Sequence, residues 1–143
     1  MLRSLLSLVA GAAVLAAPAL AQDAGTPDAA LGLRLDGLVE VEGACRLTFV
    51  AENGLAADIT AFSVEGVAFD AEGGVARFSL FDFRDLPAGR MRVRQFDLPG
   101  MSCQGVGSVL VNGVQTCNGE GLDPAVCADG LVVSSRADVD LMG

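Results

Sequence analysis

The sequence contains no histidine, lysine, tyrosine or tryptophan. These absences remove Ser-His and Cys-His nucleophile pairs, histidine metal sites, Schiff-base lysines and a tyrosine general acid. An enzyme of this composition would depend on carboxylates and arginines, as a carboxylate-pair glycosidase does. Such enzymes usually hold sugars on aromatic side chains, whereas the aromatic residues here are seven Phe, several at positions typical of a core. We therefore expect no catalytic residues and no enzyme activity, with a small carboxylate-dependent hydrolase as the alternative.

Basic residues are few, and the formal net charge is −9. All nine basic residues are arginines, against 18 Asp and Glu. An acidic surface of this kind repels phosphate backbones and anionic lipid headgroups. We expect no nucleic-acid partner.

The amino terminus has the pattern of a secretory signal peptide. Arg3 precedes an apolar run over residues 5–17, and Ala19-Leu20-Ala21 forms a small-residue cleavage motif. The apolar run is shorter than the roughly 20 residues that a membrane-spanning helix needs. We expect residues 1–21 to be removed, residues 22–29 to form a flexible leader and residues 30–143 to fold as one domain. The mature protein would be periplasmic or secreted, without membrane insertion.

Four cysteines follow the predicted cleavage site, an even number in an exported chain, which predicts two disulfides. They are Cys45, Cys103, Cys117 and Cys127. No Cys-x-x-Cys spacing exists and histidine is absent, so neither a zinc site nor a redox-active pair is expected. Three pairings are possible from the sequence. We prefer Cys45 with Cys103, which would join the second predicted strand to the start of the sixth, and Cys117 with Cys127, which would close a Gly-rich loop.

Short runs rich in Val, Leu, Phe and Thr alternate with turns of Gly, Asn, Asp and Pro, and no window carries a helical stripe. This pattern predicts an all-β, immunoglobulin-like antiparallel sandwich of about seven strands. In the third run, Phe62 and Val64 have one parity while Val67 and Phe69 have the other, so we expect a bulge at Gly66. The predicted strands cover residues 31–41, 45–52, 57–69, 75–83, 90–98, 106–116 and 130–141.

The stretch "RMRVRQFDLPG" places Arg90, Arg92 and Arg94 at alternate positions. They could form a docking site for an anionic partner, or one wet face of an edge strand whose ion partners are Asp82 and Asp85. We favour ion pairing, because exposed cross-strand pairs account for the stripe without a ligand. Phe96 and Leu98 fall on the arginine side, so we expect the strand to bend or to change sheets at Gln95.

Two acidic turns are candidates for calcium, which exported acidic β-domains often bind. Asp70 and Glu72 lie in one, and Asn118, Glu120 and Asp123 in the other. Neither turn matches an EF-hand loop, because the twelfth position from Asp70 is Phe81 where a Glu is needed. We expect solvated turns, no metal and no cofactor, and keep a calcium-dependent adhesin-like module as an alternative.

Residues 47–98 resemble the small exported immunoglobulin-like bacterial modules of the FxLYD kind. The matching positions are Asn53 at a strand end, Phe69-Asp70 with Gly73 in a turn, and Leu86-Pro87-Ala88-Gly89 before the last strand. Residues 78–82, "FSLFD", resemble the FxLYD motif with Phe in place of Tyr. The resemblance implies an immunoglobulin-like fold and no catalytic residues. We expect a non-catalytic binding or structural accessory module of the bacterial envelope, with another envelope protein as its partner and an oligomeric state that the sequence does not define.

Overall fold

The computed structural model describes residues 31–143, so the predicted signal peptide and leader lie outside the described residues. Residues 31–143 contain eight strands, a short 3-10 helix at Cys103–Gly105 and one six-residue α-helix. No helix among them is long and apolar enough to span a membrane. The elements are β1 (Leu31–Val41), β2 (Ala44–Asn53), β3 (Ile59–Phe69), β4 (Val75–Leu86), β5 (Met91–Pro99), β6 (Ser108–Asn118), α1 (Pro124–Asp129), β7 (Leu131–Ser135) and β8 (Asp140–Met142).

The strands form two four-stranded sheets. The first sheet has the order β5-β2-β1-β7 and the second has the order β4-β3-β6-β8. The prediction of an all-β sandwich is confirmed. The two sheets are not purely antiparallel, because β7 pairs with β1 and β8 pairs with β6 in parallel.

Alternating side chains from the two sheets meet in an apolar core. In β2, the face expected from the sequence to be buried is buried: Cys45, Leu47, Phe49 and Ala51 have no exposed surface. Phe49 makes an edge contact with Phe83 of β4, with ring centroids 5.8 Å apart, and a tilted contact with Phe81 at 5.3 Å. Aromatic pairs of this geometry add to the free energy gained from burying their area.

The last predicted strand, residues 130–141, is two strands in different sheets. β7 belongs to the first sheet and β8 to the second, so the chain crosses between the layers after Ser135. The Ser135 hydroxyl donates to the Val139 carbonyl and accepts from the Ala137 amide, which stabilises this crossing. Local hydrogen bonds from a serine hydroxyl favour a turn over a continuous strand.

The helix α1 lies in a segment predicted as a turn. Asp123 caps it by accepting from the Val126 amide at 2.9 Å, and Pro124 occupies the first turn. Both features are typical of a helix start, but six residues are too few to show a hydrophobic period.

The predicted bulge at Gly66 is wrong in its placement. β3 pairs with β4 without interruption from Val64 to Ala68, and the extra residue is Asn112 of β6, opposite Glu65 and Gly66. Gly66 is required for another reason, because a Cβ atom there would lie 2.2 Å from Phe81 Cε2. The aromatic ring therefore packs directly on the glycine.

The structure pairs Cys45 with Cys103 and Cys117 with Cys127, which is the pairing preferred from the sequence. The first disulfide links β2 of the first sheet to the 3-10 helix that precedes β6 of the second. The second disulfide links β6 to α1 and closes a loop with a sequence separation of 10. Each bridge removes conformations from the unfolded chain.

Candidate binding face

The arginine stripe lies on an edge strand, but the strand neither bends nor changes sheets at Gln95. β5 pairs with β2 in one continuous register from Met91 to Pro99. Arg92 and Arg94 stand opposite Ala51 and Phe49, both fully buried, so the two arginines share the inner side of the first sheet with Phe96 and Leu98. They are tolerated there because β5 is the sheet edge, where solvent reaches the space between the layers.

From this position the two arginines reach across to β4, the edge strand of the second sheet. Arg94 Nε donates to the Phe83 carbonyl at 3.1 Å, and its guanidinium lies 3.7 Å from Asp85. Arg92 lies 3.3 Å from the other oxygen of Asp85. We call this contact zone the β4–β5 seam. Phe96 also belongs to the seam, because the centroid of its ring lies 4.9 Å from that of the Phe81 ring.

The other members of the predicted arrangement lie elsewhere. Arg90 precedes β5 in the turn, where its backbone bonds Asn53 and Pro87. Its exposed side chain has no ion pair or hydrogen bond within residues 31–143, unlike those of Arg92 and Arg94. Asp82, proposed as an ion partner, instead accepts from the Arg84 amide. Arg84 has a φ of 62°, a left-handed conformation that interrupts the pairing of β4 with β3.

Two of the calcium candidates, Asp70 and Asp123, have structural partners in the two turns. Asp70 Oδ1 accepts from the amides of Glu72 and Gly74, and Asp123 caps α1. Within residues 31–143, no group of three or more Cys, Asp or Glu side chains is arranged to hold a metal ion.

The outer face of the second sheet carries an apolar row that sequence reasoning missed. Phe78 of β4 stands opposite Val67 of β3, Val67 opposite Leu110 of β6, and Leu110 opposite Met142 of β8. Side chains directly opposite each other lie on the same side of a sheet. We call these four residues the apolar row. It crosses all four strands of the second sheet.

The β4 end of the row is the most exposed. Phe78 and Leu80 have 61% and 62% of their surface accessible, and Val75 has 58%. Phe78 and Leu80, with Glu65, Ser79 and Gln115, line an open depression of about 240 Å³. Large apolar side chains grouped on a surface are typical of interaction sites. In the sequence "FSLFDF", Phe81 and Phe83 pack in the core, whereas Phe78 and Leu80 have the opposite parity. The sequence alone therefore did not indicate that Phe78 and Leu80 form an exposed face.

The outer face of the first sheet is more polar. Arg46 and Asp97 form a two-pronged ion pair across β2 and β5, with distances of 2.7 and 2.9 Å. The hydrogen bonds and charge of Arg46 lower the pKa of the Asp97 carboxyl, and Asp97 in turn raises the pKa of Arg46. Gln95 donates to the Thr48 hydroxyl beside them. Met91 and Val93 are exposed on this face. Val93 stands opposite Val50, but the next residues across the sheet are Arg34 and Ser134, so no apolar row crosses all four strands here.

Comparison with known proteins gives one structural relationship. No family model matches the chain, and no curated protein matches it. A solved structure of IrmA from Escherichia coli is similar to the chain, with a TM-score of 0.56 at 10% sequence identity, over 74% of this chain and 90% of that one. At this identity the similarity shows a common fold. The resemblance to FxLYD modules stays a prediction.

Proposed function

We propose that the protein is an exported, non-catalytic binding module that holds an apolar segment of another protein of the bacterial envelope. The observation that carries the proposal is the apolar row together with Leu80 on the outer face of the second sheet. Val67 is already buried, whereas Phe78, Leu80 and Met142 are exposed. Burying this face would therefore release water chiefly from the β4 and β8 ends of the row. The Phe78 ring, a large apolar surface beside a depression, is the type of anchor that dominates binding energies.

The distribution of charged side chains supports a binding role over catalysis. A carboxylate general acid usually needs burial, which raises its pKa toward neutrality. Every carboxylate in residues 31–143 is exposed or half-buried, and the fully buried polar side chains there are those of Asn53 and Ser63. Export agrees with the two disulfides, since such bonds persist in oxidising compartments.

A site-specific cross-linking experiment tests the proposal. A photoreactive amino acid at Leu80 in the full-length chain, expressed in the source bacterium, should capture a discrete protein that mass spectrometry can identify. The same group at Val93, which is similarly exposed at 56% on the other sheet, is the positional control. The identified protein is then purified and its binding measured by calorimetry.

The calorimetry decides the outcome. We expect Phe78→Ser with Leu80→Ser to weaken binding at least tenfold, and Met91→Ser with Val93→Ser to change it less than twofold. Equal capture from positions 80 and 93, or a complex indifferent to Phe78→Ser and Leu80→Ser, would contradict the proposal. Capture of a second copy of this chain at position 80 would identify the face as a self-association surface instead.

A further inference from the structure

The free edge of β4 lies directly beside the exposed part of the apolar row. β4 ends the strand order of the second sheet, and no strand within residues 31–143 pairs with its outer edge. Its residues from Arg77 to Phe81 pair with β3 without a register shift, so this part of the edge is regular. A regular edge presents unpaired N–H and C=O groups that another strand can bind.

The inner side of β4 has more positive than negative charge near it. Arg77 stands opposite Ala68 on the inner side of β4, and its buried Nε has no hydrogen-bond acceptor within the described part of the chain. Arg92 and Arg94 share one carboxylate, that of Asp85. The Arg77 guanidinium lies beside Gly100, at the opposite end of β5 from Arg92 and Arg94. Positive charge therefore lies at two places along the inner side of β4, in a protein whose net charge is negative.

These two features lie on opposite sides of β4. Successive side chains of a strand point to opposite faces. A strand added to the β4 edge would place every second side chain beside Phe78 and Leu80 on the outer face. Its remaining side chains would lie beside Arg77 and Ser79 on the inner side, in line with the seam further along β4. The complementary segment has apolar residues at the first set of positions and acidic residues at the second.

We infer that the partner adds an extended segment of alternating apolar and acidic residues to the edge of β4, with its acidic side chains facing Arg77 and, further along β4, the arginines of the seam. This inference rests on the proposed function and specifies how the partner binds. Strand addition takes affinity from main-chain hydrogen bonds and specificity from alternate side chains.

A second copy of this chain fits the edge poorly. In the regular part of the edge, the inner side of β4 carries Arg77, Ser79 and Phe81, with no carboxylate among them. Asp85 lies beyond this part and already pairs with Arg92 and Arg94. Pairing the regular parts of two β4 strands would place a second Arg77 on the same side as the first, with no carboxylate between them. Inward-pointing charges of this kind are a common means of preventing self-pairing.

Matched peptides provide the test. The probes are fluorescently labelled nine-residue peptides of alternating Val and Glu, of alternating Val and Lys, and a block peptide with the Val/Glu composition but no alternation. Binding to the full-length protein is measured by fluorescence anisotropy. The net charge of −9 by itself favours the Lys peptide. We expect the alternating Val/Glu peptide to bind at least tenfold more tightly than either of the others.

Two variants locate the bound peptide. Phe78→Ser with Leu80→Ser, and separately Arg77→Gln with Arg92→Gln, should each weaken binding of the Val/Glu peptide at least fivefold. Met91→Ser with Val93→Ser should leave it within twofold. Circular dichroism and thermal unfolding of each variant confirm that the sandwich is intact.

Backbone methylation tests strand addition itself. N-methylating alternate amides of the Val/Glu peptide in two complementary sets should abolish binding for the set that faces β4 and leave it nearly unchanged for the other. A preference for the Lys or block peptide, or equal binding by both methylated sets, would overturn the inference. If the cross-linked protein still depends on Phe78 and Leu80 in that case, the proposed function stands without strand addition.

Discussion

Asn53 Nδ2 donates a hydrogen bond of 2.7 Å to the carbonyl of Leu86, and this contact joins the end of β2 to the end of β4. The same amide donates to the Ala57 carbonyl and accepts from the Leu55 amide. The Asn53 backbone bonds Gly89 and Arg90. One buried side chain thus holds both loops at this end of the sandwich.

Replacing Asn53 with Ala should lower the free energy of unfolding by about 3 kcal/mol, because it leaves buried backbone groups without partners. Urea denaturation followed by circular dichroism measures the change. Asn112→Ala is the control, since its exposed amide bonds only the Glu65 side chain among the described residues and should cost less than about 1 kcal/mol. Equal losses for the two variants would contradict the role given to Asn53.

Gly66→Ala should destabilise the protein by about 2 kcal/mol, because the new methyl group overlaps the Phe81 ring and forces it to move. Adding Phe81→Leu should recover part of this loss if steric overlap is the cause. Gly113→Ala, where nothing lies within 4 Å of the new Cβ, should have a small effect. Thermal unfolding of the four proteins compares them directly.

Arg94→Gln should cost about 1 kcal/mol of stability, because the Phe83 carbonyl loses its charged donor and Asp85 loses an ion partner. Arg90→Gln should have almost no effect, because its side chain lies outside the seam. Replacing all three arginines with Gln should leave the fold intact. A large loss for Arg90→Gln, measured by urea denaturation, would show that the stripe acts as one unit.

The Arg46–Asp97 pair should contribute a small, pH-dependent stabilisation. The folded state lowers the pKa of Asp97 below its ordinary value of 3.8. The stabilisation is therefore present at pH values above 3.8 and is lost as the pH falls through the lowered folded pKa. The difference in unfolding free energy between the native protein and Asp97→Asn should shrink toward zero on acidification. A difference that is constant with pH would remove the ion pair as its cause.

The alternation of apolar residues in β2 was sufficient to predict its buried face, and the bounds of β1 were predicted as 31–41 and are Leu31–Val41. The division of residues 130–141 was not predictable in this way. It depends on which carbonyl groups the Ser135 hydroxyl can bond and on which sheet edge is free to pair with a further strand. Both are properties of the assembled fold.

The arginine stripe and the apolar row show what the sequence leaves open about the site. Ion pairing of Arg92 and Arg94 with Asp85 was correctly expected, but the pairs join the two sheets and not neighbouring strands of one sheet. The inward position of the two arginines depends on β5 being an edge strand. The apolar row depends on register. Phe78 and Met142 are distant in sequence. They belong to one row because β3 and β6 pair Val67 with Leu110.

Hydrogen–deuterium exchange of the full-length protein, alone and in complex with the protein cross-linked at position 80, tests the central claim most directly. Partner binding at the outer face of the second sheet should slow the exchange of amides in β4, with smaller changes in β3 and none in β1. Slowed exchange confined to β1, β2 and β5 would place the binding surface on the first sheet and contradict the account.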